Sequence, residues 1–347
     1  GRENILARLD SGADRPTLML EVHQDTVPVE GMTIEPFAGE VRDGRVPGRG
    51  ACDVKGAMAC ILAALERIAA NPMPATPKLV VACTVNEEHG FTGAQHLAQL
   101  WHNGQSKLLP QAPDAILVSE PTELNVVVAH KGVVRWKCAT LGQAAHSSNP
   151  KAGHNAIYDM ARVIACLEKY AETISETVQQ HPRLGRGSLS VGTIAGGISV
   201  NTVPALCEIE IDRRVMPGQD PLQIYREVVA FIEQHSGVES SRLKHTEPFI
   251  IAHGLSDEIN RTLAAKLLAT VHAQIPAAQT IGVPFGTDAS AFGREVPTVV
   301  FGPGSILQAH TVDEWIAVEQ LEAATEILVE FCLQDHSWAV ASGKNRS

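Results

Sequence analysis

Short apolar runs and amphipathic stretches alternate along the first third of the chain. Apolar, largely β-branched runs predict buried strands at Thr17–Val22, Leu79–Val85 and Asp114–Val118. Between the first two, apolar residues at helical spacing predict a helix over about Lys55–Ala70. It ends at Asn71-Pro72, because proline disfavours helical geometry in the residue before it. Strands that alternate with helices are typical of an α/β domain, and we predict that fold class.

A second pattern interrupts the first after Glu123. Its predicted strands and helices are Val126–Ala129, Val133–Thr140, Asn155–Tyr170, Ser188–Ile194, Ala205–Arg214 and Pro221–His235. The first pattern then resumes with a helix at Ser256–His272, a strand at Val296–Phe301 and a helix at Val318–Cys332. The block in between has roughly the length of a small domain, which indicates an insertion.

The length of 347 residues suits two domains better than one core. We predict an α/β catalytic domain around a mixed sheet, formed by residues 1–124 and 238–336. A smaller α+β domain is inserted at 125–237, and residues 337–347 form a tail.

The composition is that of a globular protein, with 44% apolar and 19% charged residues. The formal net charge of −11 argues against a nucleic acid or an anionic membrane as partner, since both bind clustered lysines and arginines. No apolar run approaches the roughly 20 residues of a membrane-spanning helix. The seven cysteines form no C-x-x-C pattern, which predicts reduced thiols in the cytoplasm. Gly1–Asp10 reads like the interior of a domain, so we expect a segment upstream and leave targeting open.

Titratable side chains follow the ends of the three predicted strands in the first part of the chain. His23 and Asp25 follow the first strand, Glu87 and Glu88 the second, and Glu120 the third. Because ligands bind beyond the carboxyl ends of strands in α/β sheets, we expect these side chains to line one site. Each of them alone is better explained as a structural or solvated turn residue, and their repetition favours a site.

Two further candidates lie on loops that could reach the same edge. The glycines of Gly48–Gly50 let the backbone turn tightly ahead of Asp53, whose ordinary role there is to cap a helix, and His310 follows the last strand. Two histidines and four carboxylates form a mixed N/O ligand set that suits zinc, cobalt or manganese. Two metal ions that share a bridging carboxylate would use five of these groups and leave one carboxylate as a base.

Six short motifs occur in order along nearly the whole chain. They are H-x-D-x-V-P at His23–Pro28, G-R-G-x-x-D at Gly48–Asp53, the Glu87-Glu88 pair, S-E-P-T at Ser119–Thr122, G-x-x-A-H-S at Gly142–Ser147 and A-H-T at Ala309–Thr311. In this order and spacing they resemble the two-zinc amidohydrolase and peptidase family. That family includes acetylornithine deacetylase, succinyl-diaminopimelate desuccinylase, aminoacylase and the glutamate carboxypeptidases.

The resemblance implies a metal-binding role for five of the matching residues. His23 and Glu120 would bind one metal ion, Glu88 and His310 would bind the second, and Asp53 would bridge the two. The implied cofactors are two divalent metal ions, with zinc expected and cobalt or manganese as alternatives.

The resemblance also implies roles around the metal ions. Asp25 would orient the first metal-binding histidine, and Glu87 would be the general base that accepts a proton from the attacking water. The inserted domain resembles the lid and dimerisation domain of the family, which implies a homodimer. His146 would reach the active site of the partner subunit and stabilise the oxyanion, and Asn201 and Arg214 would hold the substrate carboxylate.

The reaction implied by the resemblance is hydrolysis of the amide bond of an N-acyl amino acid or short peptide. Phe301–Trp315 and the run from Ser119 to His146 look most like acetylornithine deacetylase. A desuccinylase, an aminoacylase or a metallo-carboxypeptidase or dipeptidase of the same chemistry is the alternative. A non-catalytic binding protein on this fold is a further alternative, which the presence of all six metal and base positions disfavours.

Overall fold

A computed structural model describes residues 2–12, 15–177 and 180–336. Within these residues the chain forms two compact units. Unit 1 draws on the described residues of 2–129, 255–283 and 287–336, and unit 2 on those of 130–254 and 284–286. The middle of the chain is therefore a unit of its own, while the predicted tail at 337–347 lies outside the described residues.

The described residues form fourteen strands and six α-helices. The strands are β1 (Ile5–Leu9), β2 (Thr17–His23), β3 (Arg45–Pro47), β4 (Lys78–Thr84), β5 (Ala115–Val118), β6 (Val126–His130), β7 (Gly132–Leu141), β8 (Ser188–Gly196), β9 (Leu206–Val215), β10 (Leu243–His245), β11 (Ile250–Ala252), β12 (Thr280–Val283), β13 (Thr298–Val300) and β14 (Trp315–Ala317). The helices are α1 (Gly56–Ala70), α2 (Thr92–His102), α3 (Ala156–Thr177), α4 (Pro221–His235), α5 (Arg261–His272) and α6 (Val318–Leu333). Most predicted elements are present, with ends shifted by a residue or two.

The large sheet of unit 1 has the strand order β1-β4-β2-β5-β13-β6-β12. The pairs β4–β2, β2–β5 and β5–β13 are parallel, whereas β1 pairs antiparallel with β4 and β6 pairs antiparallel with β13. The register sets His23 opposite Thr84 and Glu21 opposite Val118. Because these parallel strands end at one edge, the residues that follow β2, β4 and β5 gather there. The predicted α/β class with a mixed sheet is confirmed.

The core of unit 1 lies between this sheet and helices α1, α5 and α6. Alternate residues of β2, such as Leu18 and Val22, enter it because successive side chains of a strand face opposite sides. Ile61 from α1 and Phe331 from α6 pack into the same cluster and are almost completely buried. This packing fixes β2 and, with it, the position of His23 at its end.

Unit 2 combines an antiparallel sheet with two helices. Its strand order is β10-β7-β9-β8, and β11 also pairs with β7. Trp136 and Ile211 of the sheet share a core with Met160 of α3 and Val228 of α4. Strand β8 is the edge of the sheet, and its second half is exposed. An exposed edge strand offers unpaired backbone groups to a partner.

The structure differs from the predicted boundaries at three short strands and at the ends of two helices. Strands β10 and β11 lie beyond the predicted end of the inserted domain at 237 but pair with β7, so unit 2 continues to residue 254. Strand β6 was assigned to the inserted domain, yet it pairs with β13 in the large sheet. Helix α5 begins at Arg261 rather than Ser256, and α3 continues to Thr177 rather than ending at Tyr170. A strand of three residues is too short to show the alternation on which strand prediction depends.

Two further findings concern the state of the cysteines and the apolar character of the helices. All seven cysteines are free thiols, and six of them are buried. Cys60 and Cys332 are part of the core of unit 1, as expected for reduced core residues. Among the described residues, every helix is too short or too polar to span a membrane.

Candidate active site

His23 is the last residue of β2, and its ring is fixed at both nitrogens. Nδ1 lies 3.0 Å from the main-chain oxygen of Asp25, so Nδ1 carries a proton and the ring presents Nε2. Nε2 lies 3.0 Å from Oδ1 of Asp53. In a neutral ring this contact would oppose two lone pairs, so a proton or a cation must lie between the two atoms.

The carboxylate of Asp25 lies beside the ring of His23 and also holds the turn after β4. It lies 3.8 Å from Nδ1 of His23 but accepts hydrogen bonds from the amide of Glu87 at 3.2 Å and from the amide of Glu88 at 3.3 Å. The turn begins at Asn86, whose φ of 67° lies in the left-handed region that asparagine tolerates. Asp25 therefore fixes the backbone from which both glutamates project.

The two carboxylate oxygens of Asp53 face different imidazoles. Oδ1 faces His23, and Oδ2 lies 3.3 Å from Nε2 of His310. The same nitrogen of His310 lies 3.0 Å from Oε2 of Glu88. The other oxygen of Glu88 accepts a hydrogen bond of 3.2 Å from the amide of Val27. The carboxylate of Asp53 therefore lies between His23 on one side and His310 on the other.

Glu120 follows β5 and is 4% exposed. The amide of Ser119 donates to the carbonyl of Glu21 at 2.9 Å, which joins the start of this turn to β2. A Cβ added to Gly302 would lie 2.6 Å from the carbonyl oxygen of Glu120, closer than atoms can approach. Glycine at 302 therefore lets the chain after β13 pack against the turn that presents Glu120.

Potential ligand atoms converge in two groups. One consists of His23, Asp53 and Glu88, the other of His23, Glu87 and Glu120, and within each group the atoms lie within 4.8 Å of one another. Two ligands that are each about 2.0–2.1 Å from a tetrahedral ion are about 3.3 Å apart. The 3.0 and 3.3 Å contacts between imidazoles and carboxylates are close to that spacing. The residues therefore fit divalent metal ions, and all six predicted metal and base positions lie together.

Proximity and burial shift the pKa values of these groups. Although burial lowers the pKa of His23, the hydrogen bond to Asp53 and nearby carboxylates raise it to about 10. Hydrogen bonds to Asp53 and to a glutamate raise the pKa of His310 to about 10. Burial raises the pKa of Glu87 and of Glu120 well above the ordinary range of a carboxyl group. A divalent cation would favour the deprotonated form of every one of these groups.

Arg49 and Glu314 form a buried ion pair that the sequence analysis did not single out. Nη1 of Arg49 lies 2.7 Å from Oε2 of Glu314, whose side chain is 0% exposed. Arg49 stands inside the G-R-G-x-x-D motif, and Glu314 follows the A-H-T motif. In the sequence Arg49 and Glu314 are charged residues within or just after a motif, and nothing there shows that the two residues meet.

His146 lies in unit 2 on an exposed loop, and its tautomer is set locally. The amide of Ser148 donates to Nδ1 of His146 at 3.2 Å, and the hydroxyl of Ser148 lies 2.7 Å from the same nitrogen. Nδ1 is therefore an acceptor, and Nε2 carries the proton of the neutral ring. His146 thus presents an N–H donor away from its own loop.

The structure brings Asn201 close to His146 but not to Arg214. The amide of Ser147 donates to the carbonyl of Asn201 at 3.0 Å, in the loop between β8 and β9. Arg214 lies near the other end of β9, where Nε and Nη2 contact the carboxylate of Asp212 at 2.8 and 3.2 Å. At about 3.3 Å per residue, Arg214 is roughly 26 Å from Leu206 at the start of β9.

Residues 19–334 match the Peptidase family M20/M25/M40. The chain belongs to this family. An M20 relative, the acetylornithine deacetylase of Proteus mirabilis (strain HI4320), is 33% identical over 347 residues, which cover 96% of this chain and 84% of that protein. The matched region contains every metal and base position that the motifs indicated.

Solved structures of M20 proteins share the fold. The M20 family metallo-carboxypeptidase Sso-CP2 from Sulfolobus solfataricus aligns with a TM-score of 0.75 at 17% identity and covers 95% of this chain and 87% of its own. The YXEP protein of Bacillus subtilis, a dinuclear metal binding peptidase, aligns with a TM-score of 0.64 at 15% identity, with 95% and 84% covered. Membership identifies the chain as a hydrolytic enzyme that acts on amide bonds, as the motifs predicted.

We predict that Asp25→Asn weakens zinc binding by about 10–100-fold, the usual effect of removing a partner that orients metal ligands. Asp25 now accepts hydrogen bonds from two backbone N–H groups. In asparagine the NH₂ group would face one of them, so that hydrogen bond would be lost. Zinc affinity is measured by competition with a chromophoric chelator. Asp10→Asn is the matched control, because Asp10 is exposed and pairs only with Arg8 among the contacts described. Equal zinc affinity in Asp25→Asn and the control would contradict this role.

Proposed function

We propose that this M20 family member hydrolyses the amide bond of an N-acyl amino acid with two divalent metal ions, as an acetylornithine deacetylase-like enzyme. The observation that carries the proposal is the convergence of two imidazoles and four carboxylates at one edge of the sheet in unit 1. The Proteus mirabilis relative favours acetylornithine as the acyl amino acid. A desuccinylase, an aminoacylase or a dipeptidase would use the same chemistry with a different pocket. The seven free thiols favour the reducing cytoplasm as its compartment.

In this proposal five residues hold the metal ions. His23 and Glu120 would hold one ion, Glu88 and His310 would hold the other, and Asp53 would be shared between them. Bound divalent ions lower the pKa of water and polarise a carbonyl group. Zinc is the expected ion because a set of imidazoles and carboxylates without thiolate suits it, although cobalt and manganese accept the same ligands. The dinuclear description of the Bacillus subtilis relative supports the number of ions.

Glu87 is the group that moves the proton. Asp25 holds its backbone amide, and its carboxyl group lies among the ligand atoms of His23 and Glu120. Burial raises the pKa of Glu87, and a carboxylate within reach of the attacking water can take its proton and then release it. We propose that Glu87 then gives this proton to the nitrogen of the cleaved amide bond, which leaves as an amine.

Unit 2 supplies the donors for the substrate in this proposal, and it acts as the lid. Nε2–H of His146 would donate a hydrogen bond to the oxyanion that forms at the attacked carbonyl, a contact worth about 10²–10³ in rate in measured cases, and the hydrogen bond to Nδ1 supports this tautomer. The hydroxyl of Ser199 donates to the side-chain oxygen of Asn201, which leaves the NH₂ group of Asn201 to bind a carboxylate. Arg214 is the second candidate for that carboxylate.

The separation of Asn201 and Arg214 supports a homodimer. The backbone of an N-acyl amino acid resembles two residues and extends about 7 Å at most, so it cannot touch both ends of β9 in one protomer. If both residues bind the substrate, one must come from each subunit. We assign Asn201 and His146 to the same subunit, since the amide of Ser147, next to His146, donates to the carbonyl of Asn201.

The surface beside His146 has the character of a subunit interface. Tyr158, Ile198 and Val200 are 71%, 91% and 100% exposed, and they line a cavity of about 610 Å³ together with Ser147. Exposed apolar side chains in a cluster mark sites of protein association. The exposed edge of β8 lies in the same unit and continues into the loop that carries Ile198 and Val200. We propose that this surface pairs with its copy in a second subunit.

We predict that Glu87→Gln lowers kcat about 10²–10⁴-fold, the usual contribution of a general base, and leaves zinc affinity nearly unchanged. Glu88→Gln is the contrasting variant, because the loss of a metal ligand should weaken zinc binding directly. Steady-state kinetics on N-acetylornithine and chelator competition measure the two effects. A large loss of zinc affinity in Glu87→Gln would show that Glu87 is a ligand and would contradict its role as base.

We predict that a mixture of His146→Ala and Glu87→Ala proteins recovers activity that neither variant has alone. A mixed dimer joins an intact Glu87 to the intact His146 of the other chain at one of its two sites. With random exchange, about one quarter of wild-type activity should return in a symmetric dimer. Subunit exchange is checked independently by tagging one variant and isolating mixed dimers. Mixed dimers without recovered activity would contradict the action of His146 across subunits.

A further inference from the structure

Glu314 accepts four hydrogen bonds in the interior of unit 1, and three of them come from the turn that carries Asp53. Oε2 accepts from Nη1 of Arg49 at 2.7 Å and from the amide of Gly50 at 3.0 Å. Oε1 accepts from the amides of Cys52 at 2.8 Å and Asp53 at 3.0 Å. A carboxylate buried this completely is stable only when its oxygens are satisfied in this way. Glu314 therefore determines the backbone from which Asp53 projects.

Arg49 connects the same turn to the two segments that carry the histidines. Nε donates to the carbonyl of Pro28 at 3.2 Å, in the loop that follows His23. Nη2 donates to the carbonyl of Thr311 at 3.2 Å, directly after His310. His310 has a φ of 62°, a conformation that costs free energy in a residue other than glycine and persists only when its surroundings hold it. The guanidinium of Arg49 thus stabilises the backbone of Thr311, which directly follows His310.

We propose that the Arg49–Glu314 pair is the positioning element of the metal centre. It ties together the three loops that carry His23, Asp53 and His310, and it does so through main-chain groups without contacting a ligand side chain. The inference rests on the proposed two-metal site. Without the carboxylate, three backbone amides and Nη1 of Arg49 would be buried without the acceptor they now have, so the loops would rearrange and the ligand atoms would move apart.

The test uses Glu314→Gln in the full chain, with two readouts that do not depend on turnover. Zinc affinity, measured by chelator competition, should fall about 10–100-fold. The visible absorption spectrum of the cobalt-loaded protein reports coordination geometry and should change in band position or intensity. Glu326→Gln is the matched control, because Glu326 forms an ion pair with Arg67 in which both side chains are about half exposed. An exposed pair contributes little, so both readouts should equal those of the wild type.

Glu314→Asp covers the case in which Glu314→Gln does not fold. It keeps the charge opposite Arg49 but is one methylene shorter, so it cannot reach all four donors, and its zinc affinity should lie below that of the wild type. Wild-type affinity and an unchanged cobalt spectrum in a folded Glu314 variant would overturn the positioning role alone. Wild-type protein that binds neither zinc nor cobalt would overturn the two-metal proposal together with this inference.

Discussion

The structure depends on the gathering of carboxylates at a place where water cannot solvate them. Asp53 and Glu120 are nearly buried, and Glu87 and Glu88 project into the same space. A buried carboxylate without a partner costs several kcal/mol, and like charges so close together raise that cost. The parallel strands impose this proximity because they end at one edge of the sheet. Only positive charge offsets this cost, and in the proposed function divalent cations held by these groups would supply it.

The same device positions the ligands on two sides of this charge cluster. A carboxylate that is not itself a proposed ligand accepts hydrogen bonds from the backbone amides of a turn. That turn carries the side chain proposed as metal ligand or base. Asp25 does this for Glu87 and Glu88, and Glu314 does it for the turn of Asp53. Main-chain hydrogen bonds of this kind set ligand positions to a few tenths of an ångström, which metal coordination requires. Side-chain packing alone would leave these loops free to shift.

The sequence predicted the residues of the site, but it did not predict the contacts that hold their loops in place. The ends of apolar runs predicted that His23 and Glu120 would meet, because strand direction brings such ends to one edge. The contact between Arg49 and Glu314 joins residues that are 265 positions apart, and no local pattern carries that information. Likewise, Asp25 contacts a turn 62 residues away, so its role could not be read from its own loop. The short strands β10 and β11 were missed because their pairing with β7, rather than their composition, makes them strands.

The most direct test of the proposed metal-dependent amide hydrolysis is an assay of zinc-loaded protein on a small panel of substrates. The panel contains N-acetylornithine, N-succinyl-diaminopimelate, N-acetylmethionine and a dipeptide, and each is assayed before and after chelation. We expect that N-acetylornithine is turned over, that a chelator abolishes this turnover and that added zinc restores it. Folded, zinc-loaded protein that hydrolyses no member of the panel, or turnover that survives removal of the metal, would contradict it.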